Sequence, residues 1–204
     1  SDPETRKYVG EQLARHQVQI EGLAKEVATG QQPTPLPAIQ LPKVAPDNPN
    51  LIGNLKFQQA EQRALEADGD HVRGAALFKR QSCQACHTTA DGQVPKGPHL
   101  VDIGKRYKKR EIIESVLNPS AKLAQGFESY LFVMESGKVF TGFVTGESVD
   151  NIELRQTDGI PVRLVKANIE QRQKRTESMM PVGLVNNLTP EQLADLVAYL
   201  RALE

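Results

Sequence analysis

The chain has 204 residues, no net formal charge and 39% hydrophobic residues, values that are ordinary for a soluble globular protein of one or two compact units. No segment approaches the roughly 18 consecutive apolar residues of a membrane span. The first residues lack the charged and apolar regions of a signal peptide, so we expect a soluble, trimmed or excised piece of a longer polypeptide.

Two features are predicted before the first compact unit. Residues 1–31 have the apolar spacing of one amphipathic helix, with Asp2 as N-cap and Gly30 just past its end. Residues 32–54 are predicted to be a proline-rich linker, because six prolines between residues 32 and 49 favour an extended chain.

The remaining elements follow in chain order. A short helix is predicted from Leu55 to Glu66, and Asp70 is placed to cap a second helix that leads into the cysteines. Four β-rich runs separated by turn residues predict a small antiparallel sheet or barrel. They are Ser129–Met134, Lys138–Thr145, Ile152–Gln156 and Val162–Val165. Thr189 and Pro190 then begin a C-terminal helix.

A basic cluster lies after the second helix. Residues 71–124 contain 10 basic and 4 acidic side chains, and the densest group is residues 105–110. Such a cluster would steer an acidic partner protein, or it is a solvated helix start. Nucleic acid is not expected as a partner, since Tyr107 is the cluster's one aromatic residue and no reading motif accompanies it.

The strongest chemical signal is Cys83-Gln84-Ala85-Cys86-His87, which holds both cysteines of the chain. On a helical turn the two sulfurs face the same way and can form thioethers to the two vinyl groups of one haem. His87 follows directly and can bind the iron as an axial ligand. The motif therefore predicts one covalently attached haem c.

Two other readings of the motif are disfavoured. A thioredoxin-like pair needs a strand before the motif and a helix starting at it, whereas a helix precedes it here. A Cys2His2 zinc site could use His87 and His99, but these histidines are twelve residues apart and not at the usual short spacing. The pentapeptide alone could also arise by chance.

The segments around the motif resemble the class I cytochrome c pattern. They are Gly74-x-x-Leu77-Phe78, Gly97-Pro98-His99-Leu100, Met180-Pro181 and Leu196-x-x-Tyr199-Leu200. In that family the first and last helices cross, so Gly74 and Phe78 are expected to pack against Tyr199 and Leu200. The family's proline after the motif would be Pro98, whose carbonyl commonly orients the second nitrogen of the histidine.

Residues 68–204 are more closely similar to the haem-binding domain of planctomycetes and verrucomicrobia, in which a class I cytochrome is interrupted by a β-rich insert. The shared segments are Leu117-Asn118-Pro119-Ser120, Gly137-Lys138-Val139-Phe140-Thr141-Gly142 and Ser178-Met179-Met180-Pro181-x-Gly183-Leu184. The resemblance implies a mainly α cytochrome c domain over residues 55–204, with the β insert at about 127–172. In that family the domain usually ends a larger secreted polypeptide.

The resemblance also implies a methionine as the second axial ligand of the iron. Met180 is the expected ligand because it directly precedes Pro181, and Met179 is the alternative. Met134 lies within a predicted strand and is expected to be a packing residue. His99 is a remaining competitor, but it follows Pro98 on what should be the proximal side.

The leading hypothesis for function is electron transfer from a dehydrogenase donor to another electron carrier. The alternative is a haem enzyme or a gas or peroxide sensor with an open or labile distal position. A third hypothesis is an interaction module, in which the N-terminal helix pairs with a copy of itself. Covalent haem attachment takes place outside the cytoplasm in bacteria, so a periplasmic or otherwise exported protein is expected.

Overall fold

The computed structural model describes residues 41, 44–90, 92–93 and 96–204. The predicted N-terminal helix (residues 1–31) and residues 32–40 and 42–43 of the predicted proline-rich linker lie outside the described residues. The described residues form five α-helices and one antiparallel sheet. None of the helices in these ranges has the length and apolar character needed to cross a membrane.

The five helices lie before and after the sheet in the chain. They are α1 (Phe57–Glu66), α2 (His71–Arg80), α3 (Ile103–Arg106), α4 (Lys109–Leu117) and α5 (Pro190–Arg201). Helix α1 begins two residues later than predicted. Helices α2 and α5 begin directly after their predicted caps, Asp70 and Thr189. Apolar side chains of α1, α2, α4 and α5 form one buried helical core.

Local capping chemistry fixes where α2 and α5 begin. The Asp70 carboxylate accepts a hydrogen bond of 2.8 Å from the backbone N–H of Arg73. Thr189 accepts from the backbone N–H of Gln192, whose side chain accepts from the backbone N–H of Thr189 in return. Each interaction satisfies N–H groups that have no partner within their helix.

Helices α2 and α5 cross at a glycine. A Cβ atom on Gly74 would lie 2.0 Å from the backbone oxygen of Asp195 and 2.7 Å from the Cβ of Tyr199, so the two helices approach too closely for a side chain. One turn later the rings of Phe78 and Tyr199 pack with their centroids 5.3 Å apart. The expected packing of Gly74 and Phe78 on Tyr199 is present.

A charged contact reinforces the same crossing. Asp195 is only 5% exposed, and its carboxylate accepts hydrogen bonds from the backbone N–H of Asp70 at 2.7 Å and from two guanidinium nitrogens of Arg73 at 2.8 Å. A buried carboxylate needs such partners to offset its desolvation. The pair therefore fixes the start of α2 against α5.

The chain just before α1 also belongs to the helical unit. Ile52, at the start of a 3-10 turn (Ile52–Asn54), is buried in the helical core, and its backbone N–H donates to the carbonyl of Leu188 over 2.8 Å. Leu51 is buried as well. The end of the predicted linker thus lies packed on the helices.

The sheet has five strands in the order β4-β3-β2-β1-β5, and all pairings are antiparallel. They are β1 (Ser129–Met134), β2 (Val139–Glu147), β3 (Asn151–Arg155), β4 (Pro161–Val165) and β5 (Ile169–Lys174). The four predicted strands are present. The fifth was not predicted; it follows a 3-10 turn and returns to pair with β1.

The sheet is strongly curled around its own small core. Glu147 ends β2, yet its carboxylate contacts Lys166 at 2.7 Å and Arg172 of β5 at 3.1 Å, although β1 separates these strands in the sheet. Only a curled sheet brings these groups together. Phe132 and Met134 lie inside the curl among the other buried apolar side chains, which gives Met134 the packing role expected of it.

The basic cluster is largely engaged within the chain. Lys105 pairs with Asp102, Arg106 donates to two backbone carbonyls, and Lys109 donates to the carbonyls of Leu65 and Ala67 at the end of α1. Arg110 pairs with Glu61 at 2.9 Å. These contacts tie the cluster to α1 and to the loop before α3.

Candidate functional site

A sharp turn positions the cysteine motif directly after α2. Ser82 adopts the left-handed backbone conformation with φ of 57°, which redirects the chain. A 3-10 turn (Cys83–Ala85) follows, and the backbone N–H of His87 donates to the carbonyl of Cys83 over 3.0 Å. Side chains three residues apart lie on the same side of an ideal 3-10 turn, so this local structure is compatible with two thioether bonds to one haem.

The two thiols are free and differ in their surroundings. Cys83 is half-buried against the helical core, whereas Cys86 is exposed. Burial raises the pKa of the Cys83 thiol. Redox-active cysteines of the thioredoxin type need a lowered thiol pKa, so the environment of Cys83 argues against that class.

His87 is held by one hydrogen bond in the form that binds metals. Its Nδ1 lies 2.9 Å from the carbonyl oxygen of Pro98. A carbonyl only accepts, so Nδ1 carries the proton and the lone pair is on Nε2. Burial lowers the pKa of His87, and the carbonyl acts in the opposite direction. The imidazole is therefore neutral near pH 7 with Nε2 available as a ligand.

The segment around Pro98 is joined to the motif on both sides of this hydrogen bond. Gly97 N–H donates to the carbonyl of Cys86 over 2.8 Å, and Leu100 N–H donates to the carbonyl of Thr88 over 2.9 Å. The ring of His99 bonds the hydroxyl of Thr88 at 2.8 Å. This arrangement places His99 beside the loop that orients His87.

The two candidate methionines lie on a short span after the sheet. Met179 and Met180 are both half-buried. The backbone N–H of Met180 donates to the hydroxyl of Ser178, and Ser178 N–H donates to the hydroxyl of Ser120 over 3.0 Å. Their burial does not distinguish the two methionines, so the choice of Met180 stays a prediction.

One residue of the site was missed by sequence reasoning. The amide of Gln81 is almost fully buried and donates to the backbone oxygen of Leu184 and to Oδ1 of Asn187. It thereby connects the residue two before Cys83 with the segment that follows Met180. No local pattern marks a glutamine at a helix end for such a role.

The zinc alternative lacks a preassembled ligand group. Across the part of the chain that the structure describes, no three His, Cys, Asp or Glu side chains are grouped so as to hold a metal ion. His99 bonds Thr88, as described above.

Comparison with known families supports the haem interpretation of the motif. Residues 71–152 match the family model described as cytochrome c. The matched span starts at the first residue of α2, contains Cys83, Cys86 and His87, and ends within β3. The match supports a c-type cytochrome, and the cofactor of this family is covalent haem c with its iron. No curated protein matches the chain.

The residues present fit the cofactor of cytochrome c. Two thiols three residues apart at a 3-10 turn suit two thioether bonds, and a neutral imidazole with its lone pair on Nε2 suits an axial ligand. The family's role is electron transfer through haem. The family match ends before the methionine span, so the second ligand belongs to the proposal below.

Proposed function

We propose that the domain transfers single electrons through one haem c, anchored by Cys83 and Cys86 and ligated by His87 and Met180. The observation that carries the proposal is the hydrogen bond of 2.9 Å between His87 Nδ1 and the carbonyl of Pro98. It holds the imidazole beside the cysteines as a neutral ligand. Bound haem c supplies a one-electron couple between ferrous and ferric iron.

The residues on the proximal side act by holding and orienting. Cys83 and Cys86 would fix the cofactor just after α2, which packs closely against α5 at Gly74 and is hydrogen-bonded to it through Asp195. Pro98 keeps the proton on Nδ1, which increases the basicity of Nε2 toward iron. The hydrogen bonds of Gly97 and Leu100 hold the Pro98 carbonyl in place.

On the distal side, the proposal assigns a methionine thioether to the iron. A neutral thioether favours the ferrous state and raises the reduction potential relative to a second histidine. Met180 is assigned as that ligand and Met179 is the alternative. The sheet lies between His87 and Met180 in the chain, and the proposal takes it to be the β insert of the subclass, predicted at about residues 127–172.

The proposed partners are a dehydrogenase as electron donor and another electron carrier as acceptor. Weak redox encounters typically bury less than about 1,200 Å², so a small patch suffices for each. Because haem c is attached outside the bacterial cytoplasm, the proposal places the protein in the periplasm or elsewhere in the exported fraction.

The distal ligand can be tested with the full chain matured with haem. Ferric protein with methionine on the iron shows a weak near-infrared charge-transfer band. We expect this band in the wild type and in Met134→Leu, whose side chain lies in the sheet core. It should be lost in Met180→Leu and kept in Met179→Leu. The reverse result would assign Met179.

The same samples test electron transfer against the open-site alternative. A reversible one-electron titration, with no binding of carbon monoxide or cyanide on mixing, supports a carrier. Immediate binding of these ligands to the wild type would instead support an enzyme or sensor. Such a site would use a distal polar side chain, and the nearest sequence candidate, Arg175, is paired with Glu177 at 3.1 Å.

A further inference from the structure

The span that carries the two methionines is held by side chains at both of its ends. Before the span, Ser178 N–H donates to the hydroxyl of Ser120 over 3.0 Å. After the span, the carbonyl of Leu184 accepts a hydrogen bond from the side-chain amide of Gln81. Residues 179–183 lie between these two points. Groups from outside the span therefore set where it lies.

The Gln81 anchor is the stronger of the two. Its side-chain nitrogen uses both of its N–H groups, one for the carbonyl of Leu184 and one for Oδ1 of Asn187 at 2.7 Å. Gln81 is 9% exposed, so water is poorly placed to replace either bond. Breaking such a buried pair leaves its partners unsatisfied, which is costly.

The anchored turn is itself fixed to the helical core. Asn186 accepts at its backbone oxygen from Gly53 N–H over 3.0 Å, and Val185 and Leu188 are buried. Gln81 in turn caps α2, where its backbone N–H donates to the carbonyl of Leu77 over 2.8 Å. One amide thus joins the polypeptide that carries Cys83 to the segment after the methionines.

We propose that Gln81 and Ser120 are positioning residues for the methionine thioether, an inference that rests on the proposed function. Neither residue binds the iron. Each fixes one end of the short methionine span, and together they restrict it to conformations in which the thioether reaches the cofactor. Loss of an anchor increases the share of conformations without the thioether ligand, which weakens methionine ligation.

The test uses the full, haem-loaded chain and follows the near-infrared band of the ferric protein during a pH titration. Gln81→Leu removes both donors, and we expect the exchange of methionine for another ligand to become about tenfold more favourable. At about 1.4 kcal/mol per tenfold, this is about 0.7 kcal/mol for each of the two hydrogen bonds lost. The band should then be lost at a pH about one unit lower. Ser120→Ala should shift the titration in the same direction.

Asn187 provides the matched controls. Asn187→Asp keeps an acceptor oxygen for Gln81 and should titrate like the wild type, whereas Asn187→Leu removes one of the two bonds and should give an intermediate shift. Asn187→Leu also keeps the test decisive if Gln81→Leu does not fold. Thermal unfolding is measured in parallel, because a merely structural role would change the midpoint temperature and leave the band and its titration unaltered.

The outcomes separate this inference from the proposed function. A wild-type band whose titration is the same in Gln81→Leu, Ser120→Ala and Asn187→Leu would overturn the inference and leave methionine ligation standing. A wild type with covalent pigment but no band would overturn both the methionine ligand and the inference. A graded shift across the three variants, with Asn187→Asp unaffected, would support the positioning role.

Discussion

Gly74→Ala tests the helix crossing on which the site is built. The added Cβ would lie 2.0 Å from the backbone oxygen of Asp195, and no side-chain rotation can relieve a contact with backbone. Overpacking of this kind costs about 3 kcal/mol. Alanine is about 1 kcal/mol more favourable than glycine within a helix, so the free energy of unfolding of the variant should fall by a net of about 2 kcal/mol.

Denaturant unfolding followed by circular dichroism measures this loss. For a domain of this size it corresponds to a fall of about 4–8 °C in the midpoint temperature. Val72→Ala is the matched control, because Val72 lies two residues earlier on the same helix and is 46% exposed. If Gly74→Ala unfolds at the same denaturant concentration as Val72→Ala, the close approach of α2 and α5 is wrong.

Three further predictions concern stability. Asp195→Ala should cost about 2 kcal/mol and should couple with Arg73→Ala in a double-mutant cycle; additive effects would refute the pairing. Lys166, as the largest cause, lowers the pKa of Glu147. The stabilisation from the ion pair of Glu147 and Lys166 is therefore fully present above the usual carboxyl pKa, and it is lost as the pH falls through the lowered pKa of Glu147. The free energy of unfolding of Glu147→Gln should therefore fall less on acidification than that of the wild type. The same dependence on pH in both proteins would contradict the prediction. Thr189→Ala should cost about 1 kcal/mol, Thr189→Ser should cost less, and equal losses would argue against the cap.

The parts of the fold that sequence predicts well are those with local chemistry. Asp70 and Thr189 begin α2 and α5 as expected, because a cap acts on N–H groups two or three residues away. The motif of Cys83, Cys86 and His87 predicts haem c for a similar reason, since all its donors lie within one turn. The comparison with known families agrees on the cofactor.

The parts that sequence misses depend on distant partners. Strand β5 (Ile169–Lys174) has one apolar residue and an almost fully exposed pattern, so it lacks the alternation that marks a strand; pairing with β1 creates it. The contacts of Lys109 with the end of α1 span more than forty residues. The hydrogen bonds of Gln81 are also long-range, because its partners lie more than one hundred residues away in the sequence.

The most direct test of the account is the intact mass of the matured chain after extraction with acidified acetone. The account predicts a coloured polypeptide heavier by one haem, and loss of two-point attachment in Cys83→Ser and in Cys86→Ser. A colourless polypeptide, or a pigment that passes entirely into the acetone, would contradict it.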